Sequence, residues 1–164
     1  GQEEQFKGEY RILIPSPKVS TYDLKPEMSA EQLTKSYINE IKQKRPDFVC
    51  LNYANPDMVG HTGDFNAVKT AIETIDTCLQ QIITESKKEN YTLVIISDHG
   101  NAEFMINEDG SKNTAHTNNK VPCFILNTNY QKIAPGSLCD ISPTILKIME
   151  IPQPKEMTGR ALVN

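Results

Sequence analysis

A chain of 164 residues, 38% of them hydrophobic, is long enough for one globular domain with a core of its own. Its net charge of −4 and pI near 5.4 argue against nucleic acid as a partner. No apolar run approaches the roughly 18 residues of a membrane span, so no membrane role is expected. Residues 9–14 read as a short apolar strand that ends at Pro15-Ser16-Pro17, where proline removes backbone donors. A loop over 19–28 follows. Ser29 is placed as an N-cap, with Gln32 in the capping-box position. Leu33, Tyr37, Ile38 and Ile41 then recur at helical spacing, which predicts a helix to about residue 44, closed by Pro46. Residues 47–53 form an apolar run expected to be a strand buried on both faces.

The segment 54–63 is expected to be a loop carrying Asp57 and His61. A long helix over about 64–88 carries the apolar stripe Val68, Ile72, Ile75, Leu79, Ile82 and Ile83. Residues 91–97 make a second buried strand running directly into Asp98-His99-Gly100-Asn101. The polar stretch 102–120 has turn signals at Asn107 and Asp109-Gly110. Residues 121–126 make a third core strand. Asp140 caps a last helix with Pro143 in its first turn and Ile145, Leu146, Ile148 and Met149 on its apolar side. The tail 151–164 is expected to be irregular. Strands alternating with helices imply an α/β domain with a largely parallel sheet. Ligands of such sheets bind beyond the carboxyl ends of the strands.

The four cysteines, Cys50, Cys78, Cys123 and Cys139, show no Cys-x-x-Cys pairing. Cys50 and Cys123 lie in apolar runs and are expected to be buried free thiols. With the polar N-terminus, Gly-Gln-Glu-Glu-Gln-Phe-Lys, they point to a reducing, cytoplasmic setting. Asn90-Tyr91-Thr92 matches a glycosylation pattern that means little in that setting.

All three histidines, His61, His99 and His116, stand in segments rich in Gly, Asn and Thr, and Asp57 and Asp98 accompany the first two. Carboxylate and imidazole together are ligands for Mn²⁺, Zn²⁺ or Fe²⁺. Asp57 and His61 are spaced i, i+4 and meet on one side of a helical turn; a capping Asp and an exposed His would have the same spacing. Asp98 and His99 can both face inward only where the backbone bends, which Gly100 permits. His116 taken alone is no stronger than its turn-forming neighbours. Together the five residues, in segments that follow core elements, predict a metal site for hydrolytic or phosphoryl chemistry. Ser16 and Ser97 lack the setting of an exposed nucleophile. Lys18, Lys25, Lys120 and Arg160 could contact phosphate or simply be solvated.

Residues 14–30 (Ile-Pro-Ser-Pro-Lys-Val-Ser-Thr-Tyr-Asp-Leu-Lys-Pro-Glu-Met-Ser-Ala), 55–63 (Asn-Pro-Asp-Met-Val-Gly-His-Thr-Gly), 98–103 (Asp-His-Gly-Asn-Ala-Glu), 114–118 (Thr-Ala-His-Thr-Asn) and 156–159 (Glu-Met-Thr-Gly) resemble cofactor-independent (2,3-bisphosphoglycerate-independent) phosphoglycerate mutase, in order and over nearly the whole chain. The resemblance implies a three-layer fold like that of alkaline phosphatase, with a mostly parallel sheet and helices on both faces, here incomplete. It implies two Mn²⁺ ions, with Zn²⁺, Mg²⁺ or Co²⁺ as alternatives, and interconversion of 3-phosphoglycerate and 2-phosphoglycerate through a phosphoserine in glycolysis. Carried over by motif, Asp57, His61 and His116 hold one metal, and Asp98 and His99 belong to the second. The family's nucleophilic serine, an aspartate ligand of the second metal, a phosphate-side lysine and the transferase domain match nothing here. Residues 1–164 are therefore expected to be the C-terminal part of the phosphatase domain. Alone, they are expected to be inactive and prone to self-association. The alternatives are a metal-dependent phosphatase, a phosphopentomutase relative, or a non-catalytic metal-binding domain.

Overall fold

The computed structural model describes residues 4–164. Helix α1 spans Ala30–Gln43 and buries Ala30, Thr34, Tyr37 and Ile41, one face at helical spacing. Ser29 does precede it, but its side chain makes no cap. The hydroxyl instead donates to the Pro15 carbonyl at 2.7 Å, so the expected capping box does not form and the entry loop is tied down instead. Pro46, two residues after the cap, cannot continue the helix.

Residues 54–63 are not a plain loop. Asn55–Gly60 form a short helix, α2, with Pro56 in its first turn. The Asn55 side chain, 2% exposed, donates to the carbonyls of Pro26 (2.9 Å) and Glu27 (2.7 Å), which fixes α2 against the loop before α1. Helix α3, Phe65–Lys88, begins where Asp64 accepts from the Ala67 amide at 2.8 Å. It ends in a Schellman motif: Asn90 takes a left-handed φ of 62°, and the amides of Asn90 and Tyr91 reach the carbonyls of Lys87 and Ser86.

The buried face of α3 is Ala67, Val68, Ala71, Cys78, Ile82 and Ser86; it keeps Val68 and Ile82 of the expected stripe, while Ile75, Leu79 and Ile83 are half-buried. Small side chains line this face, and Ser86 exchanges a 2.7 Å hydrogen bond with the hydroxyl of Tyr37 on α1. Ile72, by contrast, is 44% exposed. Hydropathy alone ranks Ile72 above Ala71, but the close approach of a second helix selects the smaller side chain.

The sheet is smaller than expected. Strands β1 (Leu93–Ile96) and β2 (Cys123–Leu126) pair antiparallel, with Leu93 opposite Leu126 and Ile96 opposite Cys123. Residues 48–53 form no regular element, with Val49, Leu51 and Tyr53 packed on Tyr37, Ile41 and Ile82. Phe48, Cys50 and Asn52 on the alternate side are exposed, so this segment is buried on one face and not on both. Among the described residues no backbone hydrogen bond joins 48–53 or 10–14 to another strand, so neither segment counts as sheet. Cys50 is therefore exposed rather than buried, and the buried thiol is Cys78 on α3.

Helix α4, Ile141–Ile148, follows a turn in which the amides of Ser137 and Arg160 donate to the Asp140 carboxylate at 2.9 Å each. These donors hold Asp140 below the usual carboxylate range. Residues 151–164 lack regular structure yet are docked. Leu162 and Val163 are buried, and the Leu162 amide donates to the hydroxyl of Thr144, itself fully buried. No helix among the described residues is long and apolar enough to cross a membrane.

Candidate metal centre

The centre is built on α2. Val59 is fully buried and packs with Ala67, Val68 and Ala71 of α3 and with Met105. Two positions to either side of it, about 200° around the helix, Asp57 and His61 turn away from that core. The i, i+4 spacing then places His61 Nε2 3.1 Å from Asp57 Oδ1. The third group comes from the segment after β1, where His116 Nε2 lies 2.9 Å from Asp57 Oδ1 and 3.1 Å from His61 Nε2.

His99 stacks on His116 with ring centroids 3.6 Å apart, and its Nε2 is 3.9 Å from Asp57 Oδ1. Asp57, His99 and His116 also offer donor atoms within 4.8 Å of one another. The set with His61 is tighter. Ligands held at about 2.1 Å from one ion and at right angles to each other stand about 3 Å apart. Only the Asp57, His61 and His116 atoms have that spacing. Asp98 sits outside the cluster, its side chain 76% exposed and its Oδ1 3.6 Å from His99 Nε2. Thus four of the five residues converge, and Asp98 stands at the rim beside His99.

The chemistry of the donors fits a cation. His61 Nδ1 lies 2.7 Å from the carbonyl oxygen of Thr114, which can only accept. Nδ1 therefore carries a proton, and in the neutral ring this leaves the Nε2 lone pair facing Asp57 and His116. A proton on His116 Nε2 can satisfy only one of the two acceptors facing it. Lone pairs this close repel unless positive charge sits among them.

Asn101 and Glu103 frame the centre and were not among the expected ligands, although both lie in the Asp-His-Gly-Asn-Ala-Glu motif. Asn101 is buried and donates from Nδ2 to Asp57 Oδ1 at 3.3 Å. Its side chain lies where a Cβ on Gly60 would stand, so α2 can approach only with glycine there. Glu103 accepts from the Thr117 hydroxyl, from Asn119 Nδ2 at 3.0 Å and from the Asn101 amide at 2.7 Å. These bonds, that from Thr117 foremost, pull its pKa down to about 2. Gly100 is needed for space and not for a positive φ: a Cβ there would collide with Thr117 and Glu103. Ser97 donates its hydroxyl to the His99 carbonyl at 2.7 Å, a turn-forming role.

A family model for the metalloenzyme superfamily matches residues 1–153. The chain is 49% identical over 164 residues to the 2,3-bisphosphoglycerate-independent phosphoglycerate mutase of Parabacteroides distasonis, covering 99% of this chain and 32% of that protein. The protein of the same name from Anaplasma marginale is 50% identical over 164 residues, covering 99% and 33%. Among solved structures, that of Leishmania mexicana phosphoglycerate mutase at low cobalt concentration superposes with a TM-score of 0.81 and 26% identity, over 92% of this chain and 31% of the other. The chain thus spans about a third of the length of the curated relatives it matches.

Proposed function

The chain belongs to the metalloenzyme superfamily, and we propose that it is the metal-binding, C-terminal part of the phosphatase domain of a phosphoglycerate mutase. The longer protein interconverts 3-phosphoglycerate and 2-phosphoglycerate through a phosphoserine, in the cytoplasm. The observation that carries this reading is the convergence of Asp57, His61 and His116, from segments 55 residues apart, onto atoms within 3.1 Å of one another. The named relatives supply the substrate class.

In this reading Asp57, His61 and His116 hold one divalent ion, and Asp98 and His99 contribute to a second. Bound there, paired cations stabilise charge on the attacking and leaving oxygens of a phosphoryl transfer. The chain's own residues do the arranging. Thr114 fixes the His61 tautomer, Asn101 holds the Asp57 carboxylate, and the His99 ring stacks on His116. Mn²⁺ is the proposed metal, since the donors are oxygen and nitrogen without thiolate; Zn²⁺, Mg²⁺ and Co²⁺ are the alternatives. Segments 9–14 and 47–53 join β1 in a three-layer, mostly parallel sheet in the longer protein. The bare face of Phe48, Cys50 and Asn52 supports this placement.

The test is a Mn²⁺ titration at pH 8 and pH 5.5, with mutase assays of the longer protein. Affinity is expected to fall at pH 5.5, because free imidazole, with pKa about 6.5, takes up a proton. Equal affinity at both values would remove histidine from the coordination shell. His61→Ala in the longer protein is expected to abolish phosphoglycerate isomerisation. The present chain alone is expected to show no turnover above a metal blank. Near-normal activity of the His61 variant without added metal would overturn the proposal.

A further inference from the structure

We infer that Glu103 is a positioning residue for this centre, tying the turn that follows His99 to the segment that carries His116. The inference rests on the reading that the centre takes a divalent ion. His116 and His99 lie on separate segments, joined beside the histidines by a bridge in which the Thr117 amide donates to the Gly100 carbonyl at 2.8 Å. Glu103 reinforces that bridge from the side. One carboxylate oxygen receives the Thr117 hydroxyl and Asn119 Nδ2; the other receives the Asn101 amide at 2.7 Å.

Two chains of contact lead from it to the same atom. Through Thr117 it holds the neighbouring residue His116, whose Nε2 is 2.9 Å from Asp57 Oδ1. Through the Asn101 backbone it sets the side chain that donates to Asp57 Oδ1 at 3.3 Å. Glu103 is not itself a ligand, because both its oxygens are occupied by protein donors and neither is among the clustered donor atoms. Partners of this outer kind orient ligands, and their loss costs about 10–100-fold in metal affinity.

The experiment is a Co²⁺ titration of the chain, followed by absorption in the visible, for the wild type, Glu103→Gln and Thr117→Val. Unfolding of each metal-free protein is measured in parallel. Glu103→Gln keeps the size of the side chain but replaces one acceptor with a donor. Thr117→Val removes the hydroxyl and leaves the carboxylate in place. Both are expected to raise the Co²⁺ Kd about 10-fold or more and to alter the absorption band, measured well below the melting temperature. Unchanged Kd and band in both variants would overturn the inference, whatever happens to melting, because Glu103 would then be a structural staple only. Should Glu103→Gln fail to fold, Thr117→Val decides. A wild type that binds no Co²⁺ would overturn the metal reading itself, and the inference with it.

Discussion

Asp57 is the residue on which the centre turns. A single oxygen, Oδ1, receives Asn101 and faces the Nε2 atoms of His61, His99 and His116. The residues that converge here were legible because metal-ligating side chains are of few types, and three histidines in 164 residues leave little choice. Glu103 and Asn101 were harder to see. Amide and carboxylate residues of turns cap backbone everywhere, and only their distances show what these two hold. Glu103 has a pH signature. Its folded pKa, about 2, lies below the ordinary 4.5, so its contribution to stability is complete above about pH 4.5. It is lost as pH falls toward 2. Denaturant unfolding of the wild type and Glu103→Gln should therefore differ most near pH 6 and converge only as pH falls toward 2. A difference that stays constant with pH would mean the carboxylate charge is not what holds the turn.

At the scale of elements, helices were easier to read than strands. A helix satisfies its own backbone, so α1 and α3 form where periodicity places them, within a residue or two of the expected ends. A strand needs a neighbour. Segments 9–14 and 47–53 have strand-like composition, and 49, 51 and 53 alternate inward, yet among the described residues no neighbouring strand bonds their backbone. The short helix α2 was hidden for the opposite reason: six residues ending in Gly60 give too little pattern to separate from a loop. The α1–α3 cluster of Tyr37, Ile41 and Ile82 contains none of the residues of the metal centre. Ile41 is fully buried in it. Ile41→Ala should lower unfolding free energy by about 2–5 kcal/mol in urea titrations while leaving Co²⁺ affinity of the folded protein within about twofold, since additivity holds for distant sites.

For the whole molecule, the strand order gives two edges and little cover. Phe48 is 54% exposed, Phe124 54% and Leu13 85%. Unpaired edges and bare apolar side chains seek partners. Light scattering on the chain should report species larger than a monomer as concentration rises. Phe124→Lys, which adds charge to an edge strand, should shift that distribution toward monomer. A monomer at all concentrations would mean that the bare faces are too scattered to act together.

The separation of His61 from His116 by 55 positions has a thermodynamic meaning. An ion gripped by both closes the intervening chain into a ring, including the polar stretch around 106–113, where few side chains are buried. Closing a ring of that size in a disordered chain is entropically costly, but the cost grows only as the logarithm of length. The short helix, the imidazole stack and the Glu103 turn hold the same ends together. Protein contacts thus share the closure with an ion, which by binding the folded chain alone would stabilise it by mass action.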